Sequence, residues 1–169
     1  MNQDWEAAID FVLRMEGGEQ AENDPNDPGG LTRFGISQKA YPSLNISALT
    51  KEEAKNIYFR DYWKPCGGED LPTSFAIATF DAAVNMGVTS AKRLLQIGLN
   101  VTVDGVIGPE TITAAVKAGR SQIKRVLATR LAEYINRILK NPKLQVFSTN
   151  WSFRVISLAE LIMKQEPHA

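Results

Sequence analysis

The sequence predicts a mainly α protein with a small β lobe, and three observations carry that prediction. Apolar residues recur at helical spacing through most of the chain. One segment, 74–86, is apolar on nearly every side. A single dense cluster of turn formers interrupts the helical pattern between positions 22 and 37. The expected architecture is a helical bundle around a buried central helix, with a β-hairpin lobe near 22–37.

The elements follow in order. Trp5, Ala8, Ile9, Val12 and Leu13 fall on one face of a helix over 3–15, which places Glu16 at its last turn. Gly17-Gly18 stops that helix, with Gly18 expected as the left-handed cap. Asn23 to Gly30 is rich in Asn, Asp, Pro and Gly, and Leu31 to Ile36 reads as a short strand or hairpin arm. Ser37 caps a brief helical turn that ends before Pro42. Thr50-Lys51-Glu52-Glu53 is a capping box that opens a helix carrying Ala54, Ile57, Tyr58 and Tyr62. Pro65 and Gly67-Gly68 end it. The central helix, 74–86, closes at Gly87, and a short helix over 89–97 follows. Asp104-Gly105 is a turn. Pro109 opens a further helix, with Gly119 expected to end it. Residues 121–139 and 150–165 are two more amphipathic helices, separated by Asn141-Pro142. With no repeat and no long linker, 1–169 reads as one domain, a catalytic part over about 1–90 and a helical part over about 91–169 packed onto it.

Composition narrows the chemistry. The chain has 169 residues, 44% hydrophobic and 22% charged, enough for a real core. Lys and Arg number 19, as do Asp and Glu, so nothing draws nucleic acid or an anionic membrane to the surface as a whole, although a local basic face stays open. The one cysteine, Cys66, rules out an internal disulfide and reads as a small packing residue. The one histidine, His168, is a poor base or metal ligand so close to the C-terminus. No metal and no cofactor is expected. The first residues carry no basic, apolar signal segment, which points to synthesis in the cytoplasm. No stretch reaches the roughly 20 apolar residues of a membrane span, so no membrane insertion is expected, and a monomer is.

Chemistry must then rest on carboxylates, hydroxyls and amides. Glu16 ends an apolar-faced helix, Asp27 lies in a turn eleven residues on, and Thr32 follows five residues later. A hairpin can fold the latter two over the helix end. Glycoside hydrolysis needs such a set: one carboxyl in an apolar place that favours its proton-donating form, and a second kept ionised in a polar place. On spacing alone, Glu16 can equally be a plain helix-end carboxylate and Asp27 a plain turn residue. Asp81 and Asn85, one turn apart on the apolar central helix, are either a buried hydrogen-bonded pair or a polar strip that holds sugar groups. Tyr58, Tyr62 and Trp63 are either core or sugar-stacking faces.

The runs Glu16-Gly17-Gly18, Asp27-Pro28-Gly29-Gly30-Leu31-Thr32 and Gly35-Ile36-Ser37 resemble the N-terminal signature of the glycoside hydrolase family 108 muramidases, which include phage endolysins. The likeness continues through Glu53-Ala54, Asp61-Tyr62-Trp63, Phe80 to Gly87, Leu95-Gln96, Asp104 to Thr111, and Trp151 with Arg154. It departs at Glu19, where the family usually carries an aromatic residue. The resemblance implies a lysozyme-like fold and a peptidoglycan-binding-like region in the C-terminal half. It makes Glu16 the catalytic acid. Asp27 is preferred to Asp24 as the second carboxylate for its place next to Gly29-Gly30 and closest to Thr32, and Thr32 fits the water side of the cleft as in lysozyme-like enzymes generally. Asp24, Tyr58, Trp63, Asp81 and Asn85 are the expected substrate contacts. The implied partner is the peptidoglycan glycan strand, cleaved between N-acetylmuramic acid and N-acetylglucosamine. The implied setting is a lysis enzyme that reaches the wall through a holin. Two rival readings stay open: a lytic transglycosylase on the same bond, and a non-catalytic wall-binding protein. The Asp104–Thr111 loop is read as structural, with wall contact as the alternative.

Overall fold

The computed structural model describes residues 3–17 and 30–165. The chain divides into two units, Met1–Asp61 and Tyr62–Ala169.

The first unit begins with α1 (Gln3–Met15). Trp5, Ala8, Ile9 and Val12 are buried at the spacing that predicted the helix, and the Trp5 ring meets Phe59 edge-on at 5.0 Å. Asp4 and Glu6 in the first turn and Arg14 in the last suit the helix dipole. Gly17 after the helix is left-handed, at φ +95°; Gly18, expected as the cap, lies outside the described residues. A two-stranded antiparallel hairpin follows, β1 (Thr32–Arg33) with β2 (Ile36–Ser37), pairing Thr32 with Ser37 and Arg33 with Ile36. Phe34 and Gly35 form its two-residue loop with φ of +54° and +76°, the pattern of a type I′ turn. A left-handed phenylalanine costs roughly 1–2 kcal/mol. Burial of its ring offsets that, as does the bond its carbonyl accepts from the Tyr58 hydroxyl at 2.8 Å. Ser37 caps the next turn through Ala40 N–H, as expected. The capping box is present: Thr50 N–H donates to Glu53 Oε2 at 2.8 Å, and Glu53 N–H to Thr50 Oγ1 at 3.2 Å. It opens α2 (Lys51–Tyr58), which runs on into a π-helical turn, Phe59–Trp63, that periodicity did not reveal. Lys55 ties α2 to α1 through Glu6 at 2.7 Å.

The second unit is built on α3 (Thr73–Met86), the central helix of the sequence reading, buried from Phe75 through Ala83. Trp63 meets Phe80 edge-on at 5.5 Å. Cys66 is fully buried, donates to the Trp63 carbonyl, and burial pushes its thiol up to about 12. Gly87, at φ +88°, separates α3 from α4 (Val88–Leu99). Pro109 opens α5 (Pro109–Lys117) as predicted, but Gly119 does not end it. That residue is the N-cap of α6 (Arg120–Lys140), where its N–H donates to Gln122 Oε1. A 3-10 turn, Pro142–Phe147, also missed, leads into α7 (Ser148–Gln165). The Asp104–Thr111 loop closes on one buried amide. Gln96 Nε2 bonds Asp104 Oδ1 at 2.7 Å and the Val106 carbonyl at 2.9 Å, while its Oε1 accepts from Gly105 N–H at 2.8 Å.

Candidate active site

In the first unit, the end of α1, the hairpin and the end of α2 meet at Glu16. Its N–H still completes the helix, donating to the Val12 carbonyl at 3.0 Å, so the backbone holds the side chain at a fixed azimuth. The side chain is half-buried, beside an exposed Gly17. Gly35 closes one side. A methyl group on Gly35 would stand 2.7 Å from Glu16 Cβ and 2.7 Å from the Tyr58 hydroxyl oxygen. The hairpin turn therefore rests directly on the glutamate stem, and only glycine fits between. Tyr58 pins that turn from below through the Phe34 carbonyl.

Gly35→Ala is accordingly expected to lower stability by about 2–4 kcal/mol, from the left-handed φ and the overlap together. It should also cut activity roughly 100-fold by displacing the glutamate. Thermal melts and clearing of sacculi check both, and a variant that matches the parent on each would remove this contact from the account.

Thr32 sits at the root of the hairpin, half-buried, its hydroxyl donating to the Gly30 carbonyl at 3.2 Å. Asp24 and Asp27 lie outside the described residues. Tyr58 is 2% exposed and Trp63 1% exposed, so neither has a free ring face for a sugar; this corrects their expected role as substrate contacts. Tyr58 supports the Phe34-Gly35 turn instead.

Asp81 is corrected in the same sense. It is 1% exposed, and its carboxylate is held by Arg130 and Arg154, the latter through Nε at 2.9 Å. Burial alone would push this carboxyl up. The two guanidinium groups outweigh it, Arg130 foremost, and hold it below the ordinary carboxylate range. Asn85, half-buried, accepts from the Tyr134 hydroxyl at 2.6 Å, and Tyr134 Oη in turn takes Arg130 Nε at 3.0 Å. Asp81 and Asn85 thus belong to one bracing network across α3, α6 and α7, the hydrogen-bonded reading of the pair.

The sequence reading named Gly35 only within a motif and missed its seat on Glu16, although a two-residue loop containing glycine is a recognisable hairpin signal. It also missed a groove of about 420 Å³ in the first unit, lined in part by Tyr41, Asn45, Leu49, Asn56 and Arg60. Beside it, Arg60 grips Asp61 at 2.6 Å and Tyr41 donates to it at 2.7 Å. The Arg60 bond foremost holds the Asp61 carboxyl below its usual range, against the opposing effect of burial. No local motif marks such a groove.

The chain is thus mainly helical, with a short hairpin seated on a helix-terminal glutamate. The family model described as glycosyl hydrolase 108 matches residues 9–87. The solved structure of SagA from Brucella abortus is 31% identical, with a TM-score of 0.80 over 98% of this chain and 97% of that one. Among curated proteins no sequence matches significantly. The chain belongs to the glycosyl hydrolase 108 family and is a glycoside hydrolase.

Proposed function

We propose that the chain is an N-acetylmuramidase, hydrolysing the β-1,4 bond between N-acetylmuramic acid and N-acetylglucosamine in peptidoglycan as a wall-lysis enzyme of the endolysin type. Glu16 is the general acid that protonates the bridging oxygen. As that bond breaks, positive charge develops at the anomeric carbon, and a second carboxylate must answer it by activating water or by direct stabilisation. Asp27 takes that role, with Asp24 as its alternative, and Thr32 orients the water. The observation that carries this reading is the seat of Glu16 against Gly35, which fixes the stem of a half-buried carboxyl at the end of α1.

Digestion of purified sacculi in heavy-oxygen water, followed by mass spectrometry, tests it. Hydrolysis places one solvent oxygen at each new N-acetylmuramic acid reducing end. A 1,6-anhydro end without solvent oxygen would assign the chain to the transglycosylases. Binding to sacculi without new ends would make it a wall-binding protein.

A further inference from the structure

The formal neutrality of the whole chain conceals a strong segregation of charge. From Arg120 to Gln165 there are nine Lys and Arg residues against two Glu, so all the compensating negative charge lies elsewhere in the sequence. Arg130 and Arg154 are buried on Asp81, whereas Lys124, Arg125, Lys140, Lys143 and Lys164 are exposed.

The same two helices carry an unusual apolar surface. On α6 the buried side is set by Ile123, Val126, Leu127, Arg130 and Tyr134. Ala128, Ala132, Ile135 and Leu139 recur at steps of four, three and four on the opposite side, all exposed, Leu139 by 74%. On α7 the buried side is Arg154, Val155, Leu158 and Ile162. Phe153, Ile156 and Met163 lie opposite, exposed by 63%, 60% and 55%. Val146 and Phe147 in the connecting turn are exposed as well. Isolated exposed apolar residues are ordinary, but exposed apolar stripes on two helices packed against each other mark an interaction surface.

Charge decides the occupant. A second copy would set two positive faces against each other. A polar polyanion would satisfy the lysines and leave Leu139, Phe153 and Ile156 without a role. A surface that is negative outside and oily beneath answers both sets of residues. We propose that the outer face of the α6–α7 layer docks on an anionic lipid bilayer, with the two apolar stripes at the acyl boundary and the lysines among the headgroups. Among the described residues no helix is long and apolar enough to cross a membrane, so the contact is peripheral. The inference stands apart from the muramidase reading, since it uses no residue of the Glu16 site.

The test is co-sedimentation of the full chain with vesicles of phosphatidylcholine alone and of phosphatidylcholine mixed with phosphatidylglycerol. Binding to the anionic vesicles should be at least roughly tenfold tighter and should weaken with salt. The paired variants Phe153→Ser with Ile156→Ser, and Lys140→Glu with Lys164→Glu, should each lose it. Both pairs are exposed and should keep the parental melting temperature and activity on sacculi. Equal binding to both vesicle types, no binding, or binding indifferent to either pair would overturn the proposal. So would equally tight binding to polyglutamate that survives loss of Phe153 and Ile156. A concentration-dependent dimer abolished by Phe153→Ser with Ile156→Ser would reassign the face to a second copy.

Discussion

Glu16→Gln is expected to reduce clearing of sacculi by roughly 10²–10⁴-fold, the usual share of a positioned general acid. Melting temperature should barely move. Glutamine keeps the Cβ and Cγ atoms on which Gly35 rests, and the N–H to Val12 is untouched, so the local packing survives. What is lost is the transferable proton alone. Glu16→Asp separates geometry from chemistry. It retains an acid but withdraws it by one methylene from a site whose backbone cannot follow, and a displacement on the order of 1 Å can cost about 100-fold. Turbidity kinetics together with thermal melts read both effects. Wild-type clearing by Glu16→Gln would remove Glu16 from the chemistry.

Asp81→Asn should be the most destabilising single change in the second unit. It leaves Arg130 and Arg154 buried without their counter-charge, and breaking a buried pair in this way costs about 3–5 kcal/mol. For a chain of this size the fall in Tm is on the order of 10 °C. The pH dependence has a definite sign. The folded carboxyl titrates below its unfolded value, so its contribution is complete above the unfolded pKa and is lost as pH falls through the folded one. The parent should therefore lose stability in acid more steeply than Asp81→Asn, as melts across that range will show. Assays well below the variant's Tm distinguish bracing from sugar contact, since bracing leaves KM unchanged.

The contrast between these two carboxylates shows what a sequence discloses. The helix ending at Glu16 was legible because Trp5, Ala8, Ile9 and Val12 repeat locally, and the Thr50–Glu53 capping box because it spans three residues. The apolar character of α3 announced a central position. Asp81 was ambiguous because its partners lie 49 and 73 residues away, and nothing near it in the chain says whether its neighbour is an arginine or a sugar. Tyr58 and Trp63 were ambiguous because an aromatic ring suits a core and a glycan equally well. The π-helical turn at Phe59–Trp63 and the 3-10 turn at Pro142–Phe147 depend on packing and leave no periodic trace. The seat of the Gly35 turn on Glu16 joins residues 19 apart through a backbone angle, which no spacing argument reaches.

Cys66 carries a practical consequence. Its sulfur is shielded from solvent, and so little of it ionises near neutral pH that peroxide and foreign thiols find almost no nucleophile. The purified chain is therefore expected to form no disulfide-linked pairs in air. A move from a reducing to an oxidising milieu is expected to leave this thiol as it was.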